Sequence, residues 1–173
     1  METEKAGTPA YLLMASGILA ILYSILYLLW TLVPILISVV GLVGSLIDGA
    51  DIGGTLGAGV MVLAVPMLQL IGFLVTCVLG ALTAFGGVRL NAWRSKGVVV
   101  LAILSSVAGP LLAIFINAGS ALNVGTCGMG CLTGCLLGNI PTVLLLVFGV
   151  VASILATMAV RTPEAAIRFA QDA

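Results

Sequence analysis

The sequence predicts an all-α protein, a four-helix transmembrane bundle with both termini on the cytoplasmic side. Its charges are the first reason. Six basic and six acidic residues fall in four small clusters, and Ala6–Ile47, Ile52–Val88 and Gly97–Val160 contain no Asp, Glu, Lys or Arg. A charge at mid-bilayer is costly, whereas about 20 apolar residues cross the hydrocarbon core. The second reason is composition: 62% hydrophobic and 7% charged lies outside the range of soluble domains. The polar ends, Met1–Pro9 and Arg161–Ala173, are too short to fold alone, so residues 1–173 read as a single integral membrane domain.

The first span is expected over 10–42. The opening Met-Glu-Thr-Glu-Lys lacks the basic flank and short apolar core of a cleaved signal peptide, so this span reads as a retained anchor. Tyr11 and Trp30 lie about 28 Å apart along a helix, close to the hydrocarbon thickness, and read as interfacial anchors. The second span is expected over 57–88, after an outer loop at 43–56. Apolar sequence overruns the membrane in this hairpin, and Pro34 and Pro66 are nearly symmetric about Asp48 and Asp51. Either the helices tilt and kink at these prolines, or they project outward. In the second arrangement Ile35, Leu36, Ile37, Val39, Val40, Val60, Met61, Val62 and Leu63 need cover.

A cytoplasmic turn at 89–96 follows, with Arg89, Arg94, Lys96 and Trp93 at headgroup level. The last long run is interrupted by Asn117, Gly119, Ser120, Asn123, Gly125 and Thr126, giving spans over 97–117 and 140–160 and an outer loop at 118–139. Pro141 suits a helix first turn, where its missing N–H costs nothing. After Arg161, Thr162 can cap and Pro163 can open a short interfacial helix, with Ile167 and Ala170 as its apolar side.

Orientation follows from the basic residues. Lys5, Arg89, Arg94, Lys96, Arg161 and Arg168 all fall on one side of this layout, and the opposite loops hold only Asp48 and Asp51. The positive-inside rule makes the basic side cytoplasmic. A tight helical hairpin around Pro34 would reverse the later spans and translocate Arg89, Arg94 and Lys96.

The chemistry-bearing residues are few. The chain has no histidine, which removes the commonest general base and metal ligand together. Zero net charge argues against nucleic acid and against a polybasic grip on anionic lipid. Asp48 and Asp51 fit turn and capping chemistry better than a calcium loop. In-span polar residues such as Ser16, Ser24, Thr76, Thr83, Ser105, Ser106, Ser153 and Thr157 are expected to bond their own helix or bridge neighbours. Gln69 reads as reaching interfacial water, with pore lining as the alternative.

The segment Thr126–Asn139 places Gly130, Gly134 and Gly138 four residues apart, with Cys127, Cys131 and Cys135 beside them. On a helix this makes a glycine ridge, a zipper-like surface for close helix approach. Gly53 with Gly57, and Gly149 with Ser153, repeat the small-xxx-small spacing. The cysteines read first as small packing residues. A disulfide needs a non-helical segment or a second chain, and a metal site lacks an evident fourth ligand. No cofactor is expected.

The tail Val160-Arg161-Thr162-Pro163-Glu164-Ala165-Ala166-Ile167-Arg168-Phe169 resembles that of small bacterial four-span membrane proteins of unknown function. Gly86-Gly87-Val88-Arg89 through Trp93-Arg94-Ser95-Lys96-Gly97 resembles their basic turn. In topology and glycine content alone, the layout is similar to the membrane-spanning four-domain family of animal cells. The resemblance implies no activity and carries no functional residues over, and the expected location is a bacterial inner membrane. Four-span thiol–quinone oxidoreductases also carry outer-face cysteines, but they use Cys-x-x-Cys-like pairs, and no such pair occurs here.

The expected function is non-enzymatic: an oligomeric scaffold or accessory subunit packed through small-residue faces. Its partners would be the bilayer and a second copy or another membrane protein. A pore or small-molecule transporter is the first alternative, and a thiol redox enzyme the second.

Overall fold

The computed structural model describes the backbone of residues 7–47, 52–123 and 129–171. Within these, the side chains of residues 34, 52–63, 65, 118–123, 129–138 and 171 are outside the description. The described backbone is helical apart from short connections: α1 (Thr8–Ile47), α2 (Ile52–Asn91), α3 (Lys96–Asn123), α4 (Met129–Val160) and α5 (Pro163–Gln171). Four of them are long and apolar enough to cross a membrane, over Thr8–Ile47, Pro66–Asn91, Lys96–Asn117 and Asn139–Val160. This is the pattern of a multi-pass membrane protein.

The helices run further than the expected spans of 10–42, 57–88, 97–117 and 140–160. Both α1 and α2 are 40 residues long, or about 60 Å at 1.5 Å per residue. α1 passes through Pro34 and α2 through Pro66 without a break. α3 continues through Asn123, and α4 starts at Met129, so helix occupies most of the segment expected as a loop at 118–139. Pro141 accordingly lies inside α4, not in its first turn. Glycine and asparagine disfavour a helix by only about 1 kcal/mol or less each, too little to stop helices already nucleated by the apolar runs on either side.

α1 packs along α2, α2 along α3, and α3 along α4, while α4 returns to α1. The seams are lined by small residues. A Cβ on Gly87 of α2 would lie 2.7 Å from the Met14 nitrogen and 2.9 Å from the Ala10 oxygen of α1. One on Gly17 of α1 would meet the Ala84 nitrogen and lie 2.5 Å from the Gly80 oxygen. These neighbours are backbone atoms, which cannot rotate aside. Gly86 fits against Ala102, Gly72 against Ile116, and Gly149 against the Ser106 carbonyl. Pro110 has no N–H to offer that carbonyl within α3, which frees it to face the glycine of α4.

The main apolar core sits at the end that holds the α2–α3 turn. It contains Ala10, Leu13, Leu90, Val99, Ala102, Ala152, Ala156, Val160, Ala165 and Phe169. The last two come from α5, which follows α4 and turns these side chains into the cluster. Thr162 caps α5: its Oγ1 accepts from the Ala165 N–H at 3.3 Å, with Pro163 as the first helical residue. The docked face differs from the expected one. Ala165 and Phe169 are buried, whereas Ile167 and Ala170 are exposed. A wheel with apolar residues on two sides does not say which side finds the bundle, and the larger Phe169 ring buries more apolar area than Ile167.

The α2–α3 turn closes with paired capping bonds. The Arg94 N–H donates to the Arg89 carbonyl at 2.9 Å and the Trp93 N–H to the Leu90 carbonyl at 3.0 Å. This is the Schellman arrangement, whose left-handed residue is usually glycine. Here it is Trp93, with φ 55°, followed by Ser95 at φ 53°. The Trp93 ring packs edge-on to Phe169 at 5.5 Å, with the Arg168 guanidinium 5.3 Å from its centroid. Those contacts hold a bulky residue in a conformation that glycine would adopt freely.

Candidate functional site

Among the described residues, the buried polar side chains are Ser and Thr hydroxyls and the Asn117 amide. Most hydroxyls donate to a carbonyl of their own helix: Ser24 to Ala20 at 2.8 Å, Thr31 to Tyr27 at 2.7 Å, Thr76 to Gly72 at 2.9 Å and Ser105 to Leu101 at 2.8 Å. This removes their desolvation cost without creating a reactive group. Two reach across a seam as well. Thr83 Oγ1 donates to Leu79 at 2.8 Å and approaches the Ala102 carbonyl at 3.4 Å. Ser106 Oγ donates to Ile103 at 2.8 Å and approaches the Gly149 carbonyl at 3.3 Å.

All four long helices contribute to one buried polar–aromatic focus, distant along the helices from the basic turn. Asn117 of α3 is 5% exposed, and its Nδ2 donates to the Tyr23 hydroxyl of α1 at 3.5 Å. The same hydroxyl meets the side chain of Thr142 on α4. Thr142 is fully buried and donates to the Asn139 carbonyl at 2.7 Å. Phe73 of α2, also fully buried, stacks on Tyr27 at 4.3 Å and stands edge-on to Tyr23 at 6.1 Å. The arrangement can bridge helices or hydrogen-bond a neutral polar group. It holds no charge with which to move a proton or bind an ion tightly.

Reading residues one at a time missed this focus. Asn117 and Asn139 read as marks of a loop, and neither Tyr23 nor Thr142 stood out. The available signal was the spacing of Thr31, Ser24 and Ser16, which tracks the buried stripe of α1 at roughly helical period.

The sequence-predicted residues are placed as follows. Gly149 is buried against α3, and Ser153, one turn on, is half-buried and donates to Val150 at 2.8 Å. Gly53 and Gly57 are on α2, and Gly130, Gly134 and Gly138 on α4, but their packing surroundings are outside the described residues. Cys131 and Cys135 share α4 one turn apart, again with side chains outside the description. Cys127, Asp48 and Asp51 also lie outside the described residues. Cys77, half-buried in α2, is a free thiol. Gln69 is half-buried.

The anchors separate into two kinds. Tyr11 and Trp30 face outward, and Trp30 is 75% exposed. Trp93 is half-buried and packed against α5. Arg89 lies over the Phe85 ring at 4.8 Å, while Arg94, Lys96 and Arg161 are exposed. Among the described residues no group of three Cys, Asp or Glu side chains is arranged to hold a metal. No family model matches the chain, and no curated protein or solved structure does so either.

Proposed function

We propose that this chain is a non-enzymatic, multi-pass component of a bacterial inner membrane. It forms a four-helix bundle with both termini cytoplasmic, and it acts as an oligomeric scaffold or accessory subunit. One contrast carries the reading. Gly17, Gly80, Gly87 and Gly149 are filled by neighbouring helices of the same chain, whereas a Cβ on Gly41 or Gly44, towards the far end of α1, meets no atom within 4 Å among the described residues. Around those notches Val40 is 70% and Ile47 79% exposed, and no side chain of α1 beyond Ile35 is buried. Small residues let a second helix approach closely in lipid, and a large exposed apolar surface marks a partner face. Crosslinking of the native protein in mild detergent tests this: the expected result is a discrete oligomer, and a strictly monomeric protein contradicts it.

The buried focus of Tyr23, Asn117 and Thr142 supports a second reading, a transporter or pore for a small neutral solute. Flux into liposomes carrying purified protein separates the two. Flux that is lost in Asn117→Leu supports transport, and its absence in the native protein sinks it.

A further inference from the structure

We propose that the basic end of the molecule carries a site for an anionic phospholipid headgroup. It is formed by Arg94 and Lys96 of the α2–α3 turn with Arg161 at the α4–α5 corner, and α5 lies in the membrane interface beside it. Two turns far apart in sequence meet here. Trp93 packs against the cluster that contains Val160 and Phe169, so their chain neighbours Arg94 and Arg161 share one rim. Arg94, Lys96 and Arg161 are exposed, and Glu164 is the only acidic residue among the described ones at this end. The zero net charge of the chain does not describe this rim, since Asp48 and Asp51 belong to the opposite turn and Glu2, Glu4 and Asp172 to the terminal segments.

The faces of α5 favour lipid over a free phosphate ion. At about 100° per residue its positions divide into three faces. Ala165 and Phe169 dock on the bundle. Glu164 and Arg168 form a polar flank. Pro163, Ala166, Ile167 and Ala170 form an exposed apolar stripe at helical spacing, with Ile167 61% exposed. A soluble anion would leave that stripe in water. A phospholipid covers it with acyl chain while its phosphate meets the rim of arginine and lysine.

Trp93 provides the readout. Trp30→Phe leaves it the only tryptophan, since the chain has two. This protein is reconstituted into phosphatidylcholine vesicles containing a fraction of brominated phosphatidylglycerol or, in parallel, of brominated phosphatidylcholine, and quenching of Trp93 is compared. The expected result is an apparent affinity for the brominated anionic lipid higher by about fivefold or more, given the attraction of each basic residue to an anionic surface. That preference should fall several-fold at about 0.5 M salt, where charges are strongly screened. It should also disappear in R94Q/K96Q/R161Q, whose three exposed substitutions leave the helical circular dichroism unchanged. Equal quenching by the two lipids in the parent protein overturns the proposal. So does a preference that the triple variant retains.

Discussion

The two ends of the first hairpin are built from similar residues and finished differently. At the basic end, α1 and α2 meet through Ala10, Gly17, Gly80 and Gly87, and a capped turn and a docked α5 complete the packing. At the opposite end, α1 continues past Ile35 with Leu36, Ile37, Val39, Val40, Val43 and Ile47 exposed, and its glycine notches meet nothing among the described residues. The difference teaches that glycine in this chain has two uses. Where α2, α3 and α4 run alongside, it brings helices of one chain together. Where α1 outruns α3, which at 28 residues is about 18 Å shorter, Gly41 and Gly44 meet nothing among the described residues.

Substitution in the filled seam breaks the comparison most severely. Gly17→Leu forces a side chain onto α2 backbone, and we expect a loss of about 3 kcal/mol or more, at the upper end of overpacking costs. Unfolding in mixed micelles of increasing SDS content would show it. Phe169→Ala should cost about 2–3 kcal/mol through lost burial and the lost edge contact with Trp93, and should shift Trp93 emission to the red. Ser95→Gly acts in the other direction. It relieves a left-handed backbone at φ 53°, and after the entropy cost of glycine the net gain is about 0.5 kcal/mol, read as a raised unfolding midpoint. Gly44→Leu meets nothing among the described residues and should change the stability of the single chain by less than about 0.5 kcal/mol. A large loss there would mean that the outer notch is already filled within the chain.

Much of the helical layout was legible because the membrane imposes it. Charge-free runs of sufficient length leave few alternatives to helices, and the basic residues gather at Arg89–Lys96 and Arg161–Arg168. The cap at Thr162 and Pro163 was legible too, since capping chemistry is local. The extent of α3 and α4 was not. Asn117, Asn123 and Pro141 are loop or first-turn residues by intrinsic preference, and that local preference did not stop helices propagating from the apolar runs on either side. The docked face of α5 was ambiguous for a different reason: Ile167 and Phe169 offer two apolar faces, and only the position of Trp93 chooses between them. The seam glycines Gly17, Gly80 and Gly87 were passed over because none stands four residues from another glycine: Gly80 and Gly87 are seven apart, and Gly17 stands alone in its half of α1. They matter through the helix opposite, which no single segment reveals.

The central claim is that the open notches of α1 receive another helix, and subunit counting in a bilayer tests it most directly. Labelled native protein in vesicles at low density should photobleach in more than one step per spot. G41L/G44L should reduce it to single steps while keeping its helical circular dichroism. Gly97→Leu, which also enters open space but at the basic end, should leave the native count unchanged. Single-step bleaching of the native protein, or an oligomer unaffected by G41L/G44L, would contradict the account.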